Sequence, residues 1–338
     1  MKLGLESQVQ FFQALKNSIP SYSSLVDEVA ETIDISVDSA YRRIRGEKLL
    51  NYHELFLLSQ KFNVSIDKIF SNGTSSILFQ TNQNNLEKNN FLSWMQDVLY
   101  QLEMVNSFSK KHIYFLLKDM PPWYHYYHKE LAAFKFFFWK KSILFSPDVA
   151  DSTFSLEEHS YREFEEITRK ILKAYNNVNS TEIWNIEGIN TTIRQINLYH
   201  EMGIITDPSL TIRLYTCLLE VINHLEKMAE FGKKFPLGGQ PTDESADYYF
   251  YVNEFVLGDN TFFAELDDNK ITYLNYNVIY FMGTSDVAFN KSMFQNLENL
   301  IKKSTQISKV GEKERRQFFN KLRRKVRINM ESISTQEE

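Results

Sequence analysis

Apolar residues at Val9, Phe12, Leu15 and Ile19 recur at spacings of three, three and four, which puts one stripe on a helix that Pro20 and Ser21 end. Ser24 followed by Asp27 predicts a capped start for a second helix, whose buried face is Leu25, Val26, Val29, Ala30 and Ile33 and which stops near Asp34. Ser36 caps a third helix with an inner stripe of Val37, Ala40, Tyr41 and Ile44, and Gly46 stands where a helix can end in the left-handed region. Asn51 with Glu54 repeats the capping box for a fourth helix carrying Leu55, Leu58 and Phe62. Ser65 opens a short fifth with Ile66, Ile69 and Phe70.

The pattern then breaks. Ser71 to Asn90 is rich in Asn, Ser, Thr and Gln, with an Asn72-Gly73 turn signal and too little apolar surface to pack, so 72–90 is expected to be a linker between units at 1–71 and 91–338. Beyond it, Phe91 to Leu102 is helical in pattern and His112 to Leu117 is a strand. Helices follow at about 122–142, 160–176, 186–202 and 208–231. The period changes after Phe235: Tyr248 to Val256, Thr261 to Leu266, Lys270 to Leu274 and Val278 to Met282 are short β-branched and aromatic runs with hairpin-turn residues between them. Helices at about 286–303 and 312–330 close the chain. The expected fold is mainly α, five small helices followed by a larger α+β domain with a small antiparallel sheet.

The stretch from Leu25 to Lys48, with Ala30 where two helices touch, Ser36 as a cap and Gly46 after the helix, resembles the XRE family, the helix-turn-helix of phage-repressor type. Residues 51–70 are similar to that family's two closing helices, and the run from Asp38 to Gly46 resembles its BetR-type subgroup. The likeness covers residues 7–70. Two positions depart from it: Asp34 stands where the family usually has glycine in the turn, and Ile44 where it has an acidic residue shortly before the final glycine. The resemblance implies a sequence-specific transcription regulator with a recognition helix at about 36–45 in the major groove.

The residues lead to the same expectation. With Val37, Ala40, Tyr41 and Ile44 facing inwards, Asp38, Ser39, Arg42, Arg43 and Arg45 fall on the outer face or its flanks. Arginine offers the paired donors that match guanine O6 and N7, so Arg42 and Arg43 are the expected base readers. Ser39 suits a base or a phosphate. Arg45, Lys48 and the amino end of the second helix, Ser23 and Ser24, suit phosphates. Because one such helix covers only a few base pairs, double-stranded DNA is expected to be bound by a homodimer.

Composition changes this picture little. The 338 residues are 43% hydrophobic and 24% charged, which is globular, and a net charge of -5 leaves DNA binding to the field of one face. No signal pattern opens the chain and no apolar run is long enough to span a bilayer, so a cytoplasmic location without membrane contact is expected. The single cysteine, Cys217, lies in an apolar helical pattern and reads as a buried hydrophobe. His125 and His128 are three apart, yet no third ligand is identifiable, so they read as aromatic packing and no metal or cofactor is expected. Glu163, Glu165 and Glu166, followed by Arg169, Lys170 and Lys173, read as a solvated helix face. Basic residues on the last helix read as long side chains wrapped around its apolar stripe of Phe318, Phe319, Leu322 and Val326. Tyr248 to Arg327 is loosely similar, in order of elements, to effector domains built on a phospholipase-D-like scaffold. No histidine is followed by lysine two residues later, so that likeness implies a sensor without the enzyme's chemistry. Effector sensing, of a small molecule or peptide, or dimerisation is the expected role of residues 91–338, and no enzyme is expected. The competing reading is an enzyme or scaffold whose N-terminal helices bind protein or are vestigial.

Overall fold

The computed structural model describes residues 2–19, 23–64, 66, 77–81, 91–255, 260–276 and 279–334. Most of their buried apolar side chains gather into two clusters, one within residues 11–58 and one within residues 91–333.

The first cluster is built by α1 (Lys2–Ser18), α2 (Leu25–Thr32), α3 (Val37–Ile44) and α4 (Tyr52–Phe62). Phe11, Phe12, Leu15, Val29, Ala30, Ala40 and Leu58 fill it, so α1 turns its Phe11 side inwards and leaves Val9, expected inside, half exposed. The caps form where the residue types predict them. The hydroxyl of Ser24 accepts from the amide of Asp27, that of Ser36 from the amide of Ser39, and Asn51 and Glu54 complete a reciprocal capping box. Asp34 adopts the left-handed conformation (φ 49°) in the tight turn between α2 and α3, and Gly46 does so after α3 (φ 78°). The predicted fifth helix at 65–70 lies outside the described residues.

The second cluster surrounds a mixed seven-stranded sheet, not the small antiparallel one expected. The strands are β1 (Lys111–Leu116), β2 (Asn179–Trp184), β3 (Tyr248–Val252), β4 (Thr261–Leu266), β5 (Asn269–Tyr276), β6 (Tyr280–Thr284) and β7 (Thr305–Gln306), in the order β6-β5-β4-β1-β2-β3-β7. β1, β2 and β3 run parallel, and all other pairings are antiparallel. Pattern reading misses the two-residue β7 and, more consequentially, β2, Asn-Ser-Thr-Glu-Ile-Trp. Central parallel strands are usually continuous apolar runs, and here Ser180, Thr181 and Glu182 are buried instead. The helices are α5 (Phe91–Ser107), α6 (Lys129–Phe138), α7 (Glu165–Asn176), α8 (Asn190–Glu201), α9 (Pro208–Phe231), α10 (Val287–Lys302) and α11 (Glu312–Ser334). The expected single helix at 122–142 is three pieces: a 3-10 turn over Pro122–Tyr127, α6, and a π turn over Trp139–Ile143. Its aromatic residues Trp123, Tyr124, Tyr126, Phe136, Phe137, Phe138 and Trp139 are all core.

Within the polar stretch, Gln80 exchanges backbone hydrogen bonds with Gly283 at 2.8 Å each, and Phe79 meets Phe289 edge-on, so residues 77–81 are attached to the edge of the sheet at β6. On α11, Phe318, Phe319, Leu322 and Val326 are buried. Arg323 reaches Glu226 on α9, and Lys325 reaches Glu187, which keeps part of that basic helix engaged internally.

Candidate nucleic-acid interface

α3 is held from its inner side by more than apolar contact. Arg43, expected at the outer face, is 3% exposed. Its Nε donates to Glu54 Oε2 at 3.0 Å, its Nη2 to Glu54 Oε1 at 2.7 Å, and its Nη1 to the carbonyl of Ser39 at 3.1 Å. Glu54 Oε2 also accepts from the amide of Asn51, so one carboxylate closes the capping box of α4 and clamps α3. Gln8 on α1 completes the lattice. Its Nε2 donates to the carbonyls of Arg43 and Lys48, and its Oε1 accepts from the amide of Leu50. The Arg43 guanidinium holds the Glu54 carboxyl below the usual carboxylate range, against the opposing effect of burial.

Arg43 is therefore not a base reader; it is committed to Glu54. The reason lies in helix geometry. At about 100° per residue, Arg43 sits only about 60° from Ala40, the small residue at the closest helix contact, whereas Tyr41 sits about 100° away. Tyr41 and Val37, expected inside, are accordingly 46% and 48% exposed. The signal that would have found this was the position of Ala40 together with an acid, Glu54, available one helix later.

The outward face of α3 thus carries Val37, Asp38, Tyr41, Arg42 and Arg45, with Ser39 at its flank and Lys48 exposed just beyond. Arg42 and Arg45 are 56% and 67% exposed. Glu47 stands 3.9 Å from each, a solvated contact worth little. The Arg45 guanidinium lies 5.6 Å from the Tyr41 ring centre, which orients both groups. Ser24 is exposed at the amino end of α2, its hydroxyl serving as the cap, and Ser23 is half-buried. Tyr52, missed by pattern reading, is 82% exposed at the start of α4. Acidic and basic residues nearly balance between residues 2 and 64, so attraction to an anion is confined to this local face.

Within residues 91–334 one cluster of titratable groups is buried and closely paired. Glu182 on β2 is fully buried and caged: the hydroxyls of Tyr124 (2.6 Å) and Tyr175 donate to Oε1, while the Trp184 indole (2.7 Å) and the Tyr248 hydroxyl (3.0 Å) donate to Oε2. Burial and the Glu182 charge push all three phenols well above their ordinary range, so they stay protonated as donors. Lys234 beside the cage donates to the carbonyls of Tyr175 and Val178 and lies 3.4 Å from the Tyr175 ring centre, its pKa lowered by burial. No solvent reaches this cage, so its chemistry is structural: it ties β2 and β3 to α7 and the turn before α6.

His125 is buried with both ring nitrogens engaged, at Pro122 O and Thr192 Oγ1, and does not share partners with His128. Cys217 is buried, and burial with the nearby Glu130 pushes its thiol up to about 12. Glu163, Glu165 and Glu166 are exposed, and Glu166 pairs with Lys170 one turn on. No described helix is long and apolar enough to cross a membrane. No protein family, curated protein or solved structure matches this chain.

Proposed function

We propose that residues 2–64 form a helix-turn-helix that reads double-stranded DNA through α3, and that residues 91–334 serve it as an effector-sensing or homodimerising part, the whole acting as a transcription regulator. The observation that carries this reading is the asymmetry of α3. Its inner side is pinned by Ala40, the Arg43–Glu54 pair and Gln8, and its outer side offers Arg42 and Arg45 beside Tyr41 with no strong internal partner. A rigid helix with exposed, weakly held guanidinium groups on one face is what major-groove readout needs. Arg42 is the base reader in this assignment. Ser39 flanks it, and Arg45, Lys48 and the amino end of α2 at Ser24 meet phosphates.

The test selects a bound duplex from random sequence with the full chain and then measures affinity against salt. Arg42→Ala should lose about 1 to 3 kcal/mol on the selected site and relax one base position. Lys48→Ala should weaken selected and random duplexes alike and lower the salt slope by about one. If selection enriches no sequence and binding has no salt dependence, the reading fails.

A further inference from the structure

The third ligand that His128 lacks in the local sequence comes from a distant helix. His128 precedes the first turn of α6 and Glu130 lies within that turn, while Cys217 sits in the middle of α9. One ligand atom from each lies within 4.8 Å of the others. Glu130 and Cys217 are buried, and the His128 side chain is 11% exposed. Glu220, three residues after Cys217 and so on the same face of α9, brings Oε2 to 3.3 Å from His128 Nε2. That nitrogen is buried and, beyond this ion-pair contact, makes no hydrogen bond to any described residue. Buried imidazole nitrogens rarely lack a hydrogen bond, and a ring with Nε2 at ion-pair distance from Glu220 and a ring nitrogen within 4.8 Å of a thiol and a second carboxylate is placed as a ligand is placed.

We propose that His128, Glu130, Cys217 and Glu220 bind one thiophilic divalent cation, for which Zn2+ is the best match. Sulfur, imidazole nitrogen and carboxylate oxygen together suit zinc, whereas calcium and magnesium take oxygen alone. Charge also balances. Glu130 and Glu220 against Arg213 leave one negative charge, and a dication that displaces the thiol proton to solvent, replacing the S–H bond by a sulfur–metal bond, brings the sum to zero. Arg213 donates from Nε and Nη2 to the single oxygen Oε1 of Glu130, at 3.2 and 3.0 Å. It is thereby the outer partner that orients this carboxylate. The site stands or falls independently of DNA binding by residues 2–64.

Cobalt(II) titrated into the metal-stripped full chain supplies the test. Because the chain has one cysteine, a thiolate-to-cobalt charge-transfer band can come only from Cys217. The expected result is a band that saturates at one equivalent, is bleached by Zn2+ and is absent in Cys217→Ser. Glu220→Gln, at a half-exposed position that does not threaten the fold, and His128→Gln should each weaken cobalt binding about tenfold or more. Circular dichroism checks that each variant is folded, and the Glu220 variant decides the matter if the buried Cys217→Ser does not fold. No band at excess cobalt, or wild-type affinity in both Glu220→Gln and His128→Gln, overturns the proposal.

Discussion

Arg43→Ala should destabilise α3 and α4 by about 3 to 5 kcal/mol, because it leaves the Glu54 carboxylate buried with its counter-ion gone. The effect is local and is read by amide hydrogen exchange of peptides covering residues 37–62, whose protection should fall by about two to four orders of magnitude. Replacing both partners, as in Arg43→Met with Glu54→Gln, should recover much of the loss, since the expensive state is one charge without the other. This separates Arg43 from Arg42. Both alanine variants should lose DNA affinity, but only Arg43→Ala should lose protection. Unchanged protection in Arg43→Ala would return that residue to the list of direct readers. The same pair carries a pH dependence. The folded Glu54 pKa is depressed, so its contribution is complete above the unfolded carboxylate value of about 4.3 and is lost as pH falls through the lower folded value. Protection of α3 should therefore decline in acid for wild type and stay flat there for the double variant.

The elements that sequence pattern made legible are those whose local chemistry agrees with their place in the fold. Ser24, Ser36 and Asn51 start helices because their side-chain oxygens satisfy free amides. Asp34 and Gly46 sit at positive φ, where their residue types are tolerated, and 208–231 is a helix bounded by a capping Asp207 and a left-handed Gly232. What pattern could not show is every place where a polar residue is buried against a partner distant in sequence. Arg43 looks like a surface residue until Glu54 is beside it, and β2 looks like a loop until Glu182 is seen among its donors. Residues 77–81 look like linker until Gln80 is paired with Gly283. For Arg43 and β2 the apolar code was silent because hydrogen bonds, not apolar burial, decide the placement, and for residues 77–81 it was silent because the few apolar residues there, Phe79 among them, lie in a polar stretch. The candidate interface suffers from the same blindness: Arg42, Arg45 and Lys48 lie on the expected surface, and Arg43 was exchanged for Tyr41 by a small rotation of the helix.

Glu182→Leu should unfold the sheet more readily than most core substitutions, by about 3 to 5 kcal/mol or more, because four donors lose their acceptor at once. The partners differ in how well they tolerate the loss. The hydroxyls of Tyr124, Tyr175 and Tyr248 can turn to bond one another, as the Tyr124–Tyr175 contact at 2.8 Å already allows, but the Trp184 indole can only donate. Glu182→Gln should accordingly cost much less, about 1 to 3 kcal/mol. One amide oxygen can serve Trp184, and the amide nitrogen can donate to phenol oxygens on the other side. Urea unfolding followed by tryptophan emission reports directly, since Trp184 is fully buried and all four tryptophans lie beyond residue 91. Exchanging the three tyrosines for phenylalanine in the Glu182→Leu background should restore part of the stability, because the orphaned hydroxyls are then gone. If Glu182→Leu alone unfolds at the wild-type urea concentration, the cage is not what joins β2 and β3 to α7, and the polar sequence of β2 needs another cause.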